Sequence, residues 1–326
     1  WQELERDQLR DIIRQAGVVG LGGATFPSHV KVSVPEDKEV DTVLLNGAEC
    51  EPYLTVDDRL MTETKSARKV LTGLKILMKA AEAESGCIGI EDNAPEAIET
   101  MQELTRDLPQ IGVEVLETKY PQGSEKQLID TILDREVPSG GLPLDVGVVV
   151  NNTGTALAVA EAVEKNRPLV RRAVTVSGAV NEPQNLWVRI GTSVADVISK
   201  CGGFSDQPGK VIIGGPMTGK AQSKIDVPVT KGTSGIVVLT EAEAARQPEA
   251  GNCIRCARCI DSCPMYLMPV QLANLAREEH YEELEDYDIT NCIECGSCSY
   301  VCPSNIELVQ RIKLGKEKVR AKKREQ

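Results

Sequence analysis

The stretch Cys253-Ile-Arg-Cys256-Ala-Arg-Cys259-Ile-Asp-Ser-Cys263-Pro264 is repeated in form at Cys292-Ile-Glu-Cys295-Gly-Ser-Cys298-Ser-Tyr-Val-Cys302-Pro303. Three cysteines at two-residue intervals can bind one iron-sulfur cubane, while the fourth, followed by Pro, ligates the cluster of the other copy. The spacing therefore predicts two ligand sets: Cys253, Cys256, Cys259 and Cys302 for cluster 1, and Cys292, Cys295, Cys298 and Cys263 for cluster 2.

A pair of four-cysteine zinc sites is the alternative. Structural zinc usually takes two separated Cys-x-x-Cys pairs, whereas each motif here places four cysteines within eleven residues. The pattern favours two [4Fe-4S] clusters. The 28 residues between the motifs are many for a compact bacterial ferredoxin, and their apolar members have roughly helical spacing: Leu272, Leu275, Ala276 and Leu284. We therefore expect a mainly helical two-cluster ferredoxin domain.

The composition excludes nucleic acid as a partner. The 326 residues carry a formal net charge of -12, and aromatic residues make up only 3%. Nucleic-acid binding depends on basic patches and, for single strands, on exposed rings. A chain of this length, with 41% hydrophobic residues, is sufficient for two or three compact domains.

The cysteines predict a reducing compartment. Eight of the eleven belong to the two motifs, and cluster thiolates must stay reduced, so we expect a cytosolic location. The other three, Cys50, Cys87 and Cys201, are expected to be small buried hydrophobes. No stretch approaches the roughly eighteen apolar residues of a membrane span, so no transmembrane segment is expected.

The first half of the chain alternates predicted strands and helices. The strands are expected near 42–46, 87–90, 113–118 and 146–150, with helices near 3–16, 62–83, 95–108 and 124–133. Such alternation predicts a Rossmann-like parallel sheet whose ligands bind beyond the carboxyl ends of the strands. Three polar stretches fall at such ends or at helix starts: 46–52, 120–125 and 151–155.

A glycine-rich segment, 17–27, follows the first predicted helix, and Lys31 comes soon after it. Glycines let backbone amides approach a phosphate, and a lysine can supply the counter-charge. A tight turn between two elements explains the same residues. Glu49 and Glu51 follow the first strand; we expect them to face ligand groups, because unpaired buried carboxylates are costly, with a solvated acidic turn as the alternative.

The second half of the chain begins with short strands. A β-β-α-β order from Arg172 predicts a small β-grasp domain, followed by a return segment, a polar linker at 241–249, the cysteine motifs and a basic tail. The tail is expected to be a solvated helix, with contact to acidic lipid or an acidic ferredoxin-like partner as the alternative. The predicted domains span 1–171, 172–213, 214–249, 250–310 and 311–326.

Two of these segments resemble known flavin loops. Gly20-Leu-Gly-Gly-Ala-Thr-Phe-Pro-Ser-His-Val-Lys31 and Asn46-Gly-Ala-Glu-Cys-Glu-Pro52 look like those of the NADH-binding flavoprotein subunit of respiratory complex I. With Tyr-Leu-Thr-Val-Asp-Asp-Arg59, the tandem cysteine motif and the β-grasp, the chain is most similar to the RnfC family, the NAD-side subunits of membrane Rnf complexes. The resemblance covers about 17–303.

The family implies an α/β FMN and NAD(H) domain, an SLBB β-grasp domain and a domain with two [4Fe-4S] clusters. It also implies exchange of electrons between ferredoxin and NAD, coupled to Na⁺ or H⁺ translocation. Partners would be the other Rnf subunits, including a ferredoxin-like subunit. The chain would be peripheral on the cytoplasmic face of the cell (inner) membrane.

The resemblance also implies the residues that hold FMN and NAD(H). Glu51 and Glu125 would support catalysis by positioning the nicotinamide and tuning the flavin. Ala48 and Ser124 replace acids found in complex I, so the hydrogen bonds of those acids are not expected here. The full set of expected cofactor residues is Gly20, Gly22, Gly23, Phe26, Lys31, Asn46, Glu49, Glu51, Tyr120, Gly123, Glu125, Asn151, Asn152 and Thr155.

Two other functions are compatible with much of the sequence. A soluble cobalamin reductase of diol-utilising microcompartments shares flavin loops, β-grasp and two clusters, but the 53–59 segment favours the Rnf family. A relay subunit that transfers electrons without nucleotide chemistry would need only the cysteine motifs. Flavin content separates the relay from the other two.

Overall fold

The fold is taken from a computed structural model, which describes residues 1–244 and 249–325. Residues 245–248 of the predicted linker and residue 326 of the predicted tail lie outside the described residues. The chain divides into two compact units, the first formed by 1–137 and 142–244 and the second by 138–141 and 245–326. In the described ranges, every helix is too short or too polar to span a bilayer.

The first unit contains a four-stranded parallel sheet, as the alternating pattern predicted. Its strands are β1 (Thr42–Gly47), β2 (Ser85–Glu91), β3 (Ile111–Leu116) and β4 (Val148–Asn152), in the order β3-β2-β1-β4. The helices are α1 (Arg6–Gln15), α2 (Ser28–Lys31), α3 (Val56–Thr62), α4 (Thr64–Ala81), α5 (Pro95–Thr105), α6 (Glu125–Leu133) and α7 (Thr153–Lys165), and a 3₁₀ turn covers Pro143–Val146.

The helices bury apolar faces against this sheet. Leu74 and Leu77 of α4 are fully buried, and Gly73 lets α4 approach α7 closely, because a Cβ at Gly73 would lie 1.8 Å from the carbonyl oxygen of Ala156. The helix predicted over 62–83 is α4, which begins at Thr64 directly after Glu63, whose backbone is extended with a ψ of 108°. The short helix α3 that precedes it was not predicted. The α/β class is confirmed.

The second sheet belongs to the same unit. Its elements are β5 (Arg171–Gly178), β6 (Gln184–Arg189), α8 (Val194–Lys200), β7 (Pro208–Ile213), β8 (Lys220–Gln222) and β9 (Gly235–Thr240). The strand order is β6-β5-β9-β7-β8, and only the β5-β9 pair of these neighbours is parallel. β9 therefore occupies the centre of the sheet, although its residues lie in the range predicted as a return segment.

The second unit is mainly helical, as expected. It contains α9 (Arg258–Asp261), α10 (Pro269–Arg277), α11 (Glu283–Asp286), α12 (Ser297–Tyr300) and α13 (Leu308–Glu325), with a 3₁₀ turn at Ile289–Asn291. Leu308, Ile312 and Val319 of α13 are buried in the same core as Leu272 of α10. The predicted boundary at 310 falls inside α13, because apolar residues at helical spacing continue past it, so part of the basic tail is packed rather than solvated.

Candidate cofactor sites

The carboxyl ends of the four parallel strands meet at one edge of the first sheet. β1 ends at Gly47 and its neighbour β4 ends at Asn152, with Asn46 paired in register with Asn152. The predicted stretches at 46–52 and 151–155 therefore lie side by side. This is the edge at which α/β sheets bind their ligands.

The glycine-rich segment is anchored to the start of α7. The backbone N–H of Gly20 donates to the carbonyl of Phe26 at 2.8 Å, which closes the loop, and the N–H of Leu21 donates to Oγ1 of Thr155 at 2.9 Å. At Gly23, φ is +123° and a Cβ would meet no atom within 4 Å. The loop is thus fixed at its base while its glycine tip faces open space, and Phe26 is exposed.

Two cations that sequence reasoning missed hold this loop: Arg172 of β5 and Lys231 of the segment between β8 and β9. Nη2 of Arg172 donates to the carbonyl of Leu21 at 3.2 Å, and Nζ of Lys231 donates to the carbonyl of Gly17 at 2.5 Å. Arg172 is buried, and burial lowers its pKa to about 10 while the nearby carboxylates of Asp57 and Glu49 act to raise it. It therefore stays charged at neutral pH and fixes the path of the loop.

Lys31 is paired within the protein. Its Nζ lies 2.7 Å from Oε1 of Glu125 and donates to the carbonyl of Val150 at 2.9 Å. Lys31 ends α2 and Glu125 begins α6, so the two predicted site residues come from elements far apart in the chain. Both side chains remain partly exposed. Lys31, predicted to bind a phosphate group, and Glu125, predicted to position the nicotinamide, therefore form an ion pair with each other.

The 46–52 and 120–125 stretches pack directly on each other. Nδ2 of Asn46 donates to the carbonyl of Gly123 at 2.7 Å, and its Oδ1 accepts from the N–H of Ala48 at 3.1 Å. A Cβ at Gly123 would lie 2.4 Å from the carbonyl oxygen of Ala48, so the contact requires glycine. The N–H of Gly123 donates to Sγ of Cys50 at 3.4 Å, and burial raises the pKa of Cys50 to about 11. Cys50 is thus a neutral thiol that links the two stretches.

The carboxylate of Glu49 caps a helix instead of facing outward. It accepts from the backbone N–H groups of Val56, Asp57 and Asp58, at 2.8, 2.8 and 3.2 Å, at the start of α3. Burial raises its pKa well above the ordinary value, and the charge of Asp57 adds to this. Both oxygens are therefore used by α3, which differs from the ligand contact expected for Glu49.

Glu51 reaches the second sheet. Its carboxylate accepts from the N–H of Met217 at 3.0 Å and from the N–H of Thr218 at 2.7 Å, and the hydroxyl of Thr218 also donates to it. These residues form the turn between β7 and β8. A Cβ at Gly215 would lie 2.2 Å from Oε2 of Glu51, so a larger residue there would displace the Glu51 carboxylate. Glu49 and Glu51 both accept hydrogen bonds from the protein, so they do not form the solvated acidic turn that was the alternative.

The two asparagines at the end of β4 have different surroundings. Asn152 caps α7, accepting from the N–H of Gly154 at 2.9 Å, and its Nδ2 donates to Asp57 at 2.8 Å. Asn151 is 3% exposed, and within the described ranges neither atom of its amide has a hydrogen-bond partner. A buried amide without partners lowers the free energy of unfolding by about 1–3 kcal/mol. A ligand that hydrogen-bonds to the Asn151 amide would remove this cost.

The unpartnered atoms fit a polar cofactor. Besides Asn151, buried side-chain atoms without a partner in the described part of the chain include Oγ of Ser28, Oε2 of Glu91 and Nε2 of Gln122. Each belongs to an element that borders the carboxyl edge: α2, the end of β2 and the 120–125 stretch. A flavin ring offers both donors and acceptors, and the loop offers space at Gly23. The residues present therefore fit FMN.

Asp57 and Thr153 are further site residues that sequence reasoning missed. The hydroxyl of Thr153 donates to Oδ1 of Asp57 at 2.5 Å, so Asp57 ties the start of α3 to the start of α7. Burial raises the pKa of Asp57. Both residues lie inside stretches already singled out, yet nothing in the sequence pairs them. Tyr120 is half-buried. Cys87 and Cys201 are buried as expected, whereas Cys50 is only half-buried.

In the second unit, the eight motif cysteines fall into two groups. Cys253, Cys256, Cys259 and Cys302 line one cavity of about 170 Å³. Cys263, Cys292, Cys295 and Cys298 line another of about 20 Å³. Each group thus combines three cysteines of one motif with the fourth of the other, the same grouping as the predicted ligand sets.

The two groups repeat one local geometry. The N–H of Arg255 donates to Sγ of Cys253 at 3.4 Å, and the N–H of Glu294 donates to Sγ of Cys292 at 3.4 Å. Across 1–244 and 249–325, no three His, Cys, Asp or Glu side chains lie close enough together to hold a single metal ion. The thiols instead frame cavities, and four thiolates are the donor set of a [4Fe-4S] cubane, so the residues fit two clusters.

Three family models match consecutive parts of the chain. The Nuo51 FMN-binding domain matches 13–161, the SLBB domain 173–221 and the 4Fe-4S dicluster domain 252–306.

Curated relatives match most of the chain, and each is named as one subunit of a larger complex. The relative from the proton-translocating ferredoxin:NAD(+) oxidoreductase complex of Clostridium ljungdahlii is 51% identical over 89% of the chain. The one from the Na(+)-translocating complex of Acetobacterium woodii is 49% identical over 87%, and the one from the ion-translocating oxidoreductase complex of Rhodobacter capsulatus is 45% identical over 82%. The chain spans 63%, 64% and 51% of the lengths of these relatives, respectively.

A solved structure shares the fold. An NAD+-reducing [NiFe]-hydrogenase in the H2-reduced state aligns with 96% of this chain and 59% of its own, with a TM-score of 0.63 and 20% identity.

Proposed function

The chain is a homologue of the RnfC-type subunits of ion-translocating ferredoxin:NAD(+) oxidoreductase complexes, and we propose that it transfers electrons between NAD(H) and two [4Fe-4S] clusters through FMN. In this proposal it works within an Rnf complex that couples ferredoxin:NAD oxidoreduction to Na⁺ or H⁺ translocation. Its partners are the other subunits, a ferredoxin-like one among them, and it is peripheral on the cytoplasmic face of the membrane. The curated relatives favour this function over cobalamin reduction.

The observation that carries the proposal is the carboxyl edge of the first sheet. There a matched FMN-binding domain presents the buried amide of Asn151, which has no hydrogen-bond partner among the described residues, at the edge that also carries a glycine loop with an open tip. A subunit that only relayed electrons would have no need to keep such an amide without a partner. Bound FMN would supply the exchange between two-electron hydride chemistry and the one-electron chemistry of the clusters.

In this proposal, residues of the first unit bind and orient FMN. We assign the Gly20, Gly22 and Gly23 backbone, with Lys31, to the phosphate and ribityl end of FMN, and Asn151 to a polar edge of the ring. The walls of the FMN site would be completed by Phe26, Asn46, Tyr120 and Gly123. Asn152 and Thr155 would act by fixing the start of α7 and the glycine loop, as their hydrogen bonds support.

The carboxylates have supporting roles in this proposal. Glu125 positions the ammonium group of Lys31, Glu49 fixes α3, and Glu51 holds the 46–52 stretch against the second sheet. In the second unit, Cys253, Cys256, Cys259 and Cys302 would bind cluster 1, and Cys292, Cys295, Cys298 and Cys263 cluster 2. The predicted bounds of the five segments stay predictions, with β9 at the centre of the second sheet favouring a longer SLBB domain.

The test is anaerobic reduction of the chain loaded with FMN and iron. Addition of NADH is expected to bleach the cluster absorbance, and the same chain loaded with iron but without FMN is expected to stay oxidised. Bleaching that is equally fast without FMN, or no bleaching with FMN bound, would exclude the proposed electron path.

A further inference from the structure

Lys316 is buried in the second unit although it belongs to a helix rich in exposed cations. It is 5% exposed, whereas most lysines and arginines of the last turns of α13 are exposed. Burying an ammonium group costs free energy unless it is paired, so its surroundings indicate what it does there. Its Nζ donates to the backbone carbonyl of Cys292 and lies 3.3 Å from Oε1 of Glu294.

This contact places a positive charge at the second group of cysteines. Cys292 lines the second cavity with Cys263, Cys295 and Cys298, and so do Val309 and Ile312 of α13. Lys316 follows Ile312 by four residues, so it lies on the same face of the helix. The helix that helps to enclose the cavity therefore also brings the charge to the backbone of one of its ligands.

The carboxylate of Glu294 does not cancel this charge. The side chain of Glu294 is 34% exposed, against 7% for that of Lys316. Water screens an exposed charge far more than a buried one, so the field of the ammonium group dominates at the cysteines. A cluster that gains an electron gains negative charge, which a nearby cation stabilises.

We propose that Lys316 is a positioning and tuning residue that raises the reduction potential of cluster 2 selectively, with Glu294 moderating it. This inference rests on the proposed function, since it requires that the second group of cysteines holds a cluster. It also gives the last helix a role in electron transfer that its basic composition does not suggest. The two charges are predicted to act in opposite directions.

The experiment is a redox titration of the full cluster-loaded chain, followed by electron paramagnetic resonance. A Cys302→Ser variant, which keeps only cluster 2, assigns the signals. Lys316→Met is expected to favour the oxidised state of cluster 2 by about tenfold, which lowers its reduction potential by about 59 mV for one electron. Glu294→Gln is expected to raise the reduction potential of cluster 2. Lys316→Arg should keep the wild-type potential, and cluster 1 should not change in any variant.

The matched control is Lys322→Met, on the same helix, where the lysine pairs with Glu282 at the surface. It is expected to leave both potentials unchanged. A purely structural ion pair predicts that Lys316→Met and Glu294→Gln both lower the unfolding temperature while the potential of cluster 2 stays fixed, and that result would overturn the inference. If Lys316→Met fails to hold iron, a potential unmoved in Glu294→Gln overturns it equally. A wild-type chain that binds fewer than two clusters would overturn the proposed function as well.

Discussion

Nζ of Lys31 lies 2.7 Å from Oε1 of Glu125, so two residues expected to contact different parts of the cofactors form one ion pair. The pair joins the end of α2 to the start of α6 at the carboxyl edge of the sheet. A carboxylate beside a cation lowers the attraction of that cation for a phosphate. The affinity of the site for FMN should therefore depend on both residues, in opposite directions.

The first prediction separates these two charges. Lys31→Met is expected to weaken FMN binding by roughly ten- to a hundredfold, because a hydrogen bond to a charged group contributes about 1.5–3 kcal/mol. Glu125→Gln is expected to tighten it severalfold, because Lys31 is then no longer neutralised. Calorimetric titration of the cluster-loaded, FMN-free chain measures both. Riboflavin, which lacks the phosphate, is the control ligand and should bind both variants as it binds the wild type.

The second prediction concerns the unpartnered amide of Asn151. Asn151→Leu is expected to stabilise the FMN-free chain, by up to about 1–3 kcal/mol, because it removes a buried polar group that has no hydrogen-bond partner in the described part of the chain. The same change should abolish most FMN binding. The denaturant midpoint of the FMN-free chain, read by circular dichroism, and the FMN affinity are the two measurements.

The neighbouring residue is the matched control for Asn151. Asn152→Leu removes a helix cap and a hydrogen bond to Asp57, so it should destabilise the FMN-free chain by about 0.5–2 kcal/mol or more. If both leucine variants destabilise the chain equally, Asn151 has a partner in the folded protein and the argument for a ligand there is lost.

The third prediction follows from the raised pKa of Glu49. A carboxyl whose pKa is higher in the folded state than in the unfolded state binds more protons when folded, so stability falls as the pH rises. The window begins near the ordinary pKa of 4.5 and extends to the raised value. Relative to Glu49→Gln, the wild-type chain should therefore lose stability as the pH increases through this window.

Unfolding midpoints of the two proteins, measured from pH 4.5 upward, provide the measurement. A difference between wild type and Glu49→Gln that is constant, or that grows in favour of the wild type with pH, would contradict the assigned burial of this carboxylate.

The fourth prediction tests the exchange of the fourth cysteine between motifs. A chain with Cys302→Ser and Cys253→Ser should lose one cluster and keep about four irons, because both residues belong to the first group. A chain with Cys302→Ser and Cys292→Ser should lose both clusters. Iron analysis after anaerobic reconstitution distinguishes them, and the reverse outcome would mean that each motif binds its own cluster.

The sequence was sufficient for features that depend on local spacing. Alternating apolar runs predicted the parallel sheet, and the carboxyl ends of β1 and β4 fall at the predicted stretches. The intervals between cysteines were enough to predict the groups that the second unit brings together. In these cases the signal and the structure lie within a few residues of each other, or follow from the geometry common to all parallel sheets.

The partners of the carboxylates could not be predicted. Glu51 finds its partners 166 and 167 residues downstream, in the turn after β7. Glu49 caps α3, a helix of seven residues that was not predicted from the sequence. The burial of Lys316 was not predicted, because it lies in a segment rich in Lys and Arg that was expected to be a solvated helix. Each of these contacts depends on tertiary packing that composition and periodicity do not encode.

The most direct measurement of the central claim is the stoichiometry of FMN bound by the iron-loaded chain. Titration followed by flavin fluorescence is predicted to saturate at about one FMN per chain in the wild type, with loss of saturable binding in Asn151→Leu. A chain that carries both clusters but binds no FMN, or binds it equally well without the Asn151 amide, would contradict the account.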